Sequence, residues 1–227
     1  MRMSEKVSRA VVVPVIALSA LALGSASFAA SSYNLTAGSA PATPLGGLPD
    51  TPYTATTTGA SPQVTFTNTT AGVTLQCASA SAPGEVTVGT NLSGTRIGNI
   101  NGPGTIWNTC TGPGGLSLTV TGSGTWGLNS TGNTNVAGET AGTVSAVNAH
   151  VAGDCSFDVT GSVDATYKNG TTTLDLPGLT STLTISNTSF GCVFVGVANG
   201  DKASFKAAYQ VAADNAAYNP IQITSNP

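Results

Sequence analysis

Charge is what this chain most lacks: seven Lys and Arg, ten Asp and Glu and a single histidine are spread over 227 residues. Beyond residue 29 only four basic side chains remain, Arg96, Lys168, Lys202 and Lys206, against nine acids, a formal charge of −5. Four scattered cations cannot assemble a phosphate-tracking patch, which argues against nucleic acid and against an anionic membrane as partner. Thr, Ser, Asn and Gly carry the polarity instead, so the surface is hydrated by hydroxyls and amides. Methionine is also missing after Met3, leaving no thioether to oxidise. No CxxC spacing and no second histidine exist to complete a zinc or other transition-metal site. After residue 30 nothing is apolar for long enough to span a bilayer as a helix.

The first thirty residues differ from the rest. Arg2, Lys6 and Arg9 precede an apolar run from Val11 to Leu23, and small residues follow through Gly24-Ser25-Ala26-Ser27-Phe28-Ala29-Ala30. That is the layout of a secretory signal peptide, with cleavage expected after Ala29 on the small-x-small pair Ser27 and Ala29. The apolar core is about a dozen residues, shorter than the roughly 20 that an anchoring helix requires. No cysteine follows closely enough to be lipidated and no paired arginines mark a twin-arginine signal. Leu48-Pro49-Asp50-Thr51 has the letters of a sortase motif but no hydrophobic and basic tail behind it, so it reads as linker.

Export places Cys77, Cys110, Cys155 and Cys192 in an oxidising compartment, where an even count favours two disulfides. Three pairings are open, and the spacings of 33, 45 and 37 residues favour two similar local loops, Cys77 with Cys110 and Cys155 with Cys192.

Residues 30–62 are rich in Pro, Ala, Thr and Gly and read as an arm or linker; the competing reading adds an edge strand at Tyr53–Thr58. Residues 63–227 then form one domain. Its short runs alternate apolar and polar, as in Val73-Thr74-Leu75-Gln76-Cys77, Leu116-Ser117-Leu118-Thr119-Val120 and Phe157-Asp158-Val159. Period-two alternation dominated by Thr and Val, with turn signals every eight to twelve residues, predicts an all-β fold: an antiparallel sandwich or barrel, Greek-key-like, with two disulfides. Ala203–Ala213 is the nearest approach to a helix, but Phe205, Tyr209 and Val211 alternate better as a strand. Val120-Thr121-Gly122-Ser123 recurs as Val159-Thr160-Gly161-Ser162, and each copy reads as a hairpin whose return strand carries Trp126 or Tyr167.

Several blocks resemble a family of small secreted proteins from streptomycetes and related actinobacteria: Val88-Gly89-Thr90-Asn91-Leu92-Ser93-Gly94, Trp107-Asn108-Thr109-Cys110-Thr111-Gly112-Pro113, Leu118-Thr119-Val120-Thr121, Asn199-Gly200-Asp201 before Phe205, and Ile223-Thr224-Ser225. The similarity covers roughly residues 70–227. It implies an exported β-rich protein and carries over no catalytic residue. The enediyne-carrying apoproteins of the same bacteria are similar only in composition.

Three groups of residues could carry chemistry. His150 could serve a Ser-His-Asp hydrolase, but no Gly-x-Ser-x-Gly turn accompanies it. Asp154, Asp158 and Asp164 could supply a carboxylate pair for glycoside hydrolysis, although the alternation sets Asp154 and Asp158 outward, opposite the inward Cys155, Phe157 and Val159. They lack the order of a calcium loop. Trp107, Trp126 and Tyr167 could stack on sugar rings, whereas Trp107, three residues before Cys110, fits packing against a disulfide equally well. No catalytic residue, metal or cofactor is therefore expected. The expected role is a secreted, non-catalytic structural or binding module at the cell surface or outside the cell, facing a wall or matrix glycan or another surface protein. A carrier of a small apolar ligand is the first alternative, and a glycan-active enzyme the second.

Overall fold

The computed structural model describes residues 32–38 and 50–226; the expected signal peptide at 1–29 and residues 39–49 lie outside the described residues. Two strands precede the expected domain start, β1 (Ser32–Ala37) and β2 (Asp50–Thr57). After them come β3 (Val64–Asn68), β4 (Val73–Thr87), β5 (Gly89–Leu92), β6 (Gly98–Asn101), β7 (Ile106–Thr111), β8 (Ser117–Gly122) and β9 (Thr125–Thr134). The series ends with β10 (Glu139–Ala152), β11 (Phe157–Lys168), β12 (Thr173–Pro177), β13 (Leu183–Ser186), β14 (Lys202–Ala213) and β15 (Ile221–Asn226). Helix among the described residues is limited to short 3-10 turns, and none is long and apolar enough to cross a membrane.

The pairings, all antiparallel, close on themselves. Four long strands, β4, β10, β11 and β14, run the length of the body. Between them lie four broken strands, each made of two short ones placed end to end: β2 with β3, β6 with β7, β8 with β9, and β12 with β13. Thus β2 and β3 both lie between β14 and β4. Next, β6 and β7 lie beside β4, and β9 and β8 pair them on one side and β10 on the other. β11 joins β10 to β12 and β13, and these return to β14. The ring therefore has eight staves, and each is the spatial neighbour of the next one in sequence.

This bears out the antiparallel all-β fold and corrects two details. The connections are up-and-down, not Greek-key-like, because every neighbour in space is a neighbour in chain order except the first and last staves, which close the ring. The arm expected over 30–62 contains two strands of the body, and β2 is a central stave rather than an edge. Its Thr-rich composition disguised a regular alternation: Thr51, Tyr53 and Ala55 are buried, at 4%, 1% and 3% exposure, and Thr54 and Thr56 are not.

The sequence echo also resolves differently. Val120–Ser123 ends β8, which continues into β9 along the same neighbour instead of folding back. Val159–Ser162 lies inside β11, where Gly161 at φ 141° makes a kink and a Cβ would stand 2.6 Å from the Thr182 carbonyl oxygen. The register of β10 against β11 shifts opposite it, between Val144 and Val147. That shift changes the parity of β10, so Val144 is buried inward and so are Ala149 and Val151 beyond it.

A three-stranded sheet ordered β15-β1-β5 covers one mouth of the barrel. It is fastened by the Tyr167 hydroxyl donating to the Ile221 carbonyl at 2.7 Å and by Asn169 bonding both backbone groups of Ile223, at 2.7 and 2.9 Å. At the other end Cys155–Cys192 ties the start of β11 to the 3-10 turn Phe190–Val195. There the side chain of Asn68, 1% exposed, accepts from the backbone of Thr70 and Ala71 and donates to Asp201. Cys77–Cys110 crosses directly between opposed residues of β4 and β7. Both disulfides have the expected local pairing and are consistent with an extracellular protein.

Candidate functional site

Inward positions of the staves carry Val, Leu, Ile and aromatic residues, but also alanine at Ala55, Ala82 and Ala149. Those short side chains leave the barrel incompletely filled. A cavity of about 90 Å³ lies inside it, walled by residues from every stave, among them Leu75, Trp126, Val144, Val159, Leu183 and Phe205. Protein interiors rarely hold voids larger than a water molecule, and a lining this apolar offers a water fewer than the two to four polar partners it needs. At about 24 cal/mol per Å³ the empty volume forgoes about 2 kcal/mol of packing. A second cavity of about 60 Å³ lies between the barrel and the covering sheet, lined by Leu35, Ile221 and Ile223 on one side and by Val86, Ala165 and Val211 on the other. Tyr53 and Leu174 border both cavities and divide them.

The polar groups at the larger cavity are mostly engaged. Tyr53 donates its hydroxyl to the Asn99 carbonyl at 2.9 Å. Gly84 permits that placement, because a Cβ there would stand 2.5 Å from the Tyr53 hydroxyl. Thr105 donates to Asn101 at 3.1 Å, and the Trp126 indole donates to the Ser123 carbonyl at 2.9 Å. Tyr209 differs. It is 5% exposed, lines the cavity, and its hydroxyl makes no hydrogen bond among the described residues. No side-chain polar atom there is both fully occluded and unpaired, so this oxygen keeps accessible surface, and the cavity is what its ring lines. Burial pushes the Tyr209 phenol far above its ordinary 10.0 and holds it neutral.

Of the residues singled out for sugar stacking, Trp126 is buried and Trp107 and Tyr167 are partly buried. Trp126 is 6% exposed, and Tyr167 is anchored through its hydroxyl to Ile221. Trp107, partly buried, packs on Trp126 with ring centroids 6.1 Å apart, and both line the cavity beside Cys77 and Cys110. Of the reading made for these aromatics, packing beside a disulfide is the part that the geometry of Trp107 matches.

On the outer face the structure brings His150 and Asp158 together across β10 and β11. The His150 Nδ1 lies 2.6 Å from Asp158 Oδ1, and Asn187, at φ 52°, donates to Asp158 Oδ2 at 2.6 Å. This pair orients an imidazole that is half exposed, at 49%. The Oγ of a serine or threonine is not within hydrogen-bonding distance of that ring among the described residues, so the arrangement has a base and its orienter but no nucleophile. Asp164 stands six residues along β11 from Asp158, roughly 20 Å at strand rise, far beyond the separation of a glycosidase carboxylate pair. Asp154 is exposed in the turn that leads into β11. No group of three or more His, Cys, Asp or Glu that could hold a metal occurs among the described residues.

The Asn187 hydrogen bond, then the His150 contact, hold the Asp158 carboxyl below its ordinary 3.8. A carboxyl depressed in the folded state contributes stability that is full above its unfolded value and is lost as pH falls through the folded one. Replacing Asn187 by Ala should therefore raise the Asp158 midpoint toward 3.8, read from its carboxyl carbon shift by NMR. An unmoved midpoint would assign the depression to His150 alone.

Sequence reasoning missed a third feature. Phe190, Val193 and Phe194 on the disulfide-tied 3-10 turn are 79%, 69% and 80% exposed, and the two rings meet edge-on at 5.7 Å. The signal was readable as an unbroken apolar run after Ser189, but such a run also reads as a buried strand. No protein-family model, no curated protein and no solved structure matches this chain.

Proposed function

We propose that the protein is a secreted, non-catalytic binding module whose barrel interior holds a small apolar molecule. The observation that supports this reading is the apolar cavity of about 90 Å³ enclosed by all eight staves. A closed eight-stranded barrel is the size at which the interior either fills with side chains or holds one small ligand; here alanines take inward positions where larger residues would complete the packing. A site lined by hydrocarbon with few polar atoms selects for size and apolarity, and it contains no ionised group to drive a reaction. Xenon, a spherical apolar probe, tests the reading without any assumption about the natural ligand. Under xenon pressure the methyl resonances of Val144, Val159, Val163 and Leu174 should shift together while surface methyls such as Val136 stay in place. Uniform or absent shifts would remove the reading.

The exposed turn favours a second role, docking at the cell surface through Phe190, Val193 and Phe194, since a contiguous apolar patch on a soluble protein marks a contact site. Changing Phe190 and Phe194 together to Ser should move the native protein from the wall or matrix fraction to the medium. An unchanged distribution would leave the patch without that role.

A further inference from the structure

We infer that the ligand of the barrel interior carries one hydrogen-bonding oxygen, a carbonyl or a hydroxyl, on a compact hydrocarbon frame, and that Tyr209 is the residue that recognises it. This rests on the reading of the interior as a binding site and adds the chemistry of the ligand. Two observations and one principle carry it. Tyr209 lines an apolar cavity and its hydroxyl has no hydrogen-bond partner among the described residues, whereas Tyr53, Thr105 and Trp126, which line the same cavity, each have one. A phenol left unpaired in such a place is unfavourable, and a ligand oxygen would relieve it. The cavity's other surface is hydrocarbon, so a second polar atom on the ligand would meet no partner and would be selected against.

Size limits the frame. An engineered cavity of about 150 Å³ holds benzene, so about 90 Å³ corresponds to a molecule of roughly four or five non-hydrogen atoms. A short ketone or secondary alcohol meets both conditions. The phenol is neutral at any physiological pH because burial holds its proton, so it donates to a carbonyl and can accept from an alcohol. An anion such as a carboxylate is excluded, since the site holds no cation.

The test uses the secreted full-length protein, methyl-labelled, with 2-butanone as the oxygen-bearing probe and xenon as the apolar one. Wild type should bind both, with shifts confined to methyls of the cavity. Tyr209→Phe removes one oxygen from a side chain whose ring stays in place; it should keep xenon affinity and lose about tenfold in 2-butanone affinity. Ala149→Leu, which fills the space, should abolish both while leaving the methyl spectrum dispersed. If Tyr209→Phe binds 2-butanone as tightly as wild type, or if wild type binds xenon but not the ketone, this inference is overturned while the interior site stands. If wild type binds neither, the interior reading falls with it.

Discussion

Replacing Cys77 and Cys110 together by alanine should lower stability by about 4 kcal/mol or somewhat more. The bridge closes a loop of 33 residues, and the chain-entropy argument gives about 3.7 kcal/mol for a loop of that length. A second contribution comes from the interior. Both cysteines are buried, at 6% and 3% exposure, and line the apolar cavity, so removing the sulfurs enlarges an existing void. Cys155–Cys192 closes a similar loop of 37 residues, but only Cys192 is fully buried and neither residue borders that cavity, so its double alanine variant should stop at about 4 kcal/mol. Urea unfolding of the two variants side by side measures the difference. A Cys77–Cys110 variant less affected than the other would contradict the placement of that bridge at the cavity wall.

Leu174→Ala should cost between about 4 and 5 kcal/mol, the upper part of the range for deleting a buried leucine. The reason is positional. Leu174 borders the larger cavity and the smaller one under the covering sheet, so truncation joins two voids where a side chain in a dense core would be partly replaced by collapsing neighbours. Around it, β12 is held by β11 on one side and β14 on the other, which restricts collapse of the wall. The same truncation should admit larger guests: benzene should restore part of the lost stability to Leu174→Ala and none to wild type, by binding the folded state alone. Thermal unfolding with and without benzene checks both statements. A loss under 2 kcal/mol would show that the wall closes on the gap.

How far the site could be read in advance differs by residue. Asp158 was legible as an outward position, because Phe157 and Val159 are inward neighbours on one strand and parity decides the face. That His150 stands opposite it was not legible, since this depends on the register of β10 against β11 across a shift between Val144 and Val147. Trp126 and Tyr167 were legible as strand residues but equally readable as surface or interior, and ring closure buried Trp126 and part of Tyr167. Ser32–Ala37 and Asp50–Thr57 were obscured by composition: short hydroxyl side chains look like linker even when every second residue is buried. Phe190 and Phe194 drew no reading from sequence, because a short apolar run does not show its own face, and the disulfide-tied turn at the barrel end exposes them.

From sequence alone follow the all-β class, the antiparallel alternation, the disulfide chemistry and its local pairing. These are properties of neighbouring residues: period two assigns each side chain to a face, and cysteines close in sequence meet at the lowest loop-closure cost. The ring of eight staves, the cavity beside three inward alanines, and the unpaired hydroxyl of Tyr209, a residue of its lining, were decided by tertiary structure. A strand's faces are written in its own residues, but its neighbours are chosen by register and by curvature accumulated around the whole barrel. Volume left over in the interior is a sum over all staves that no single one contains.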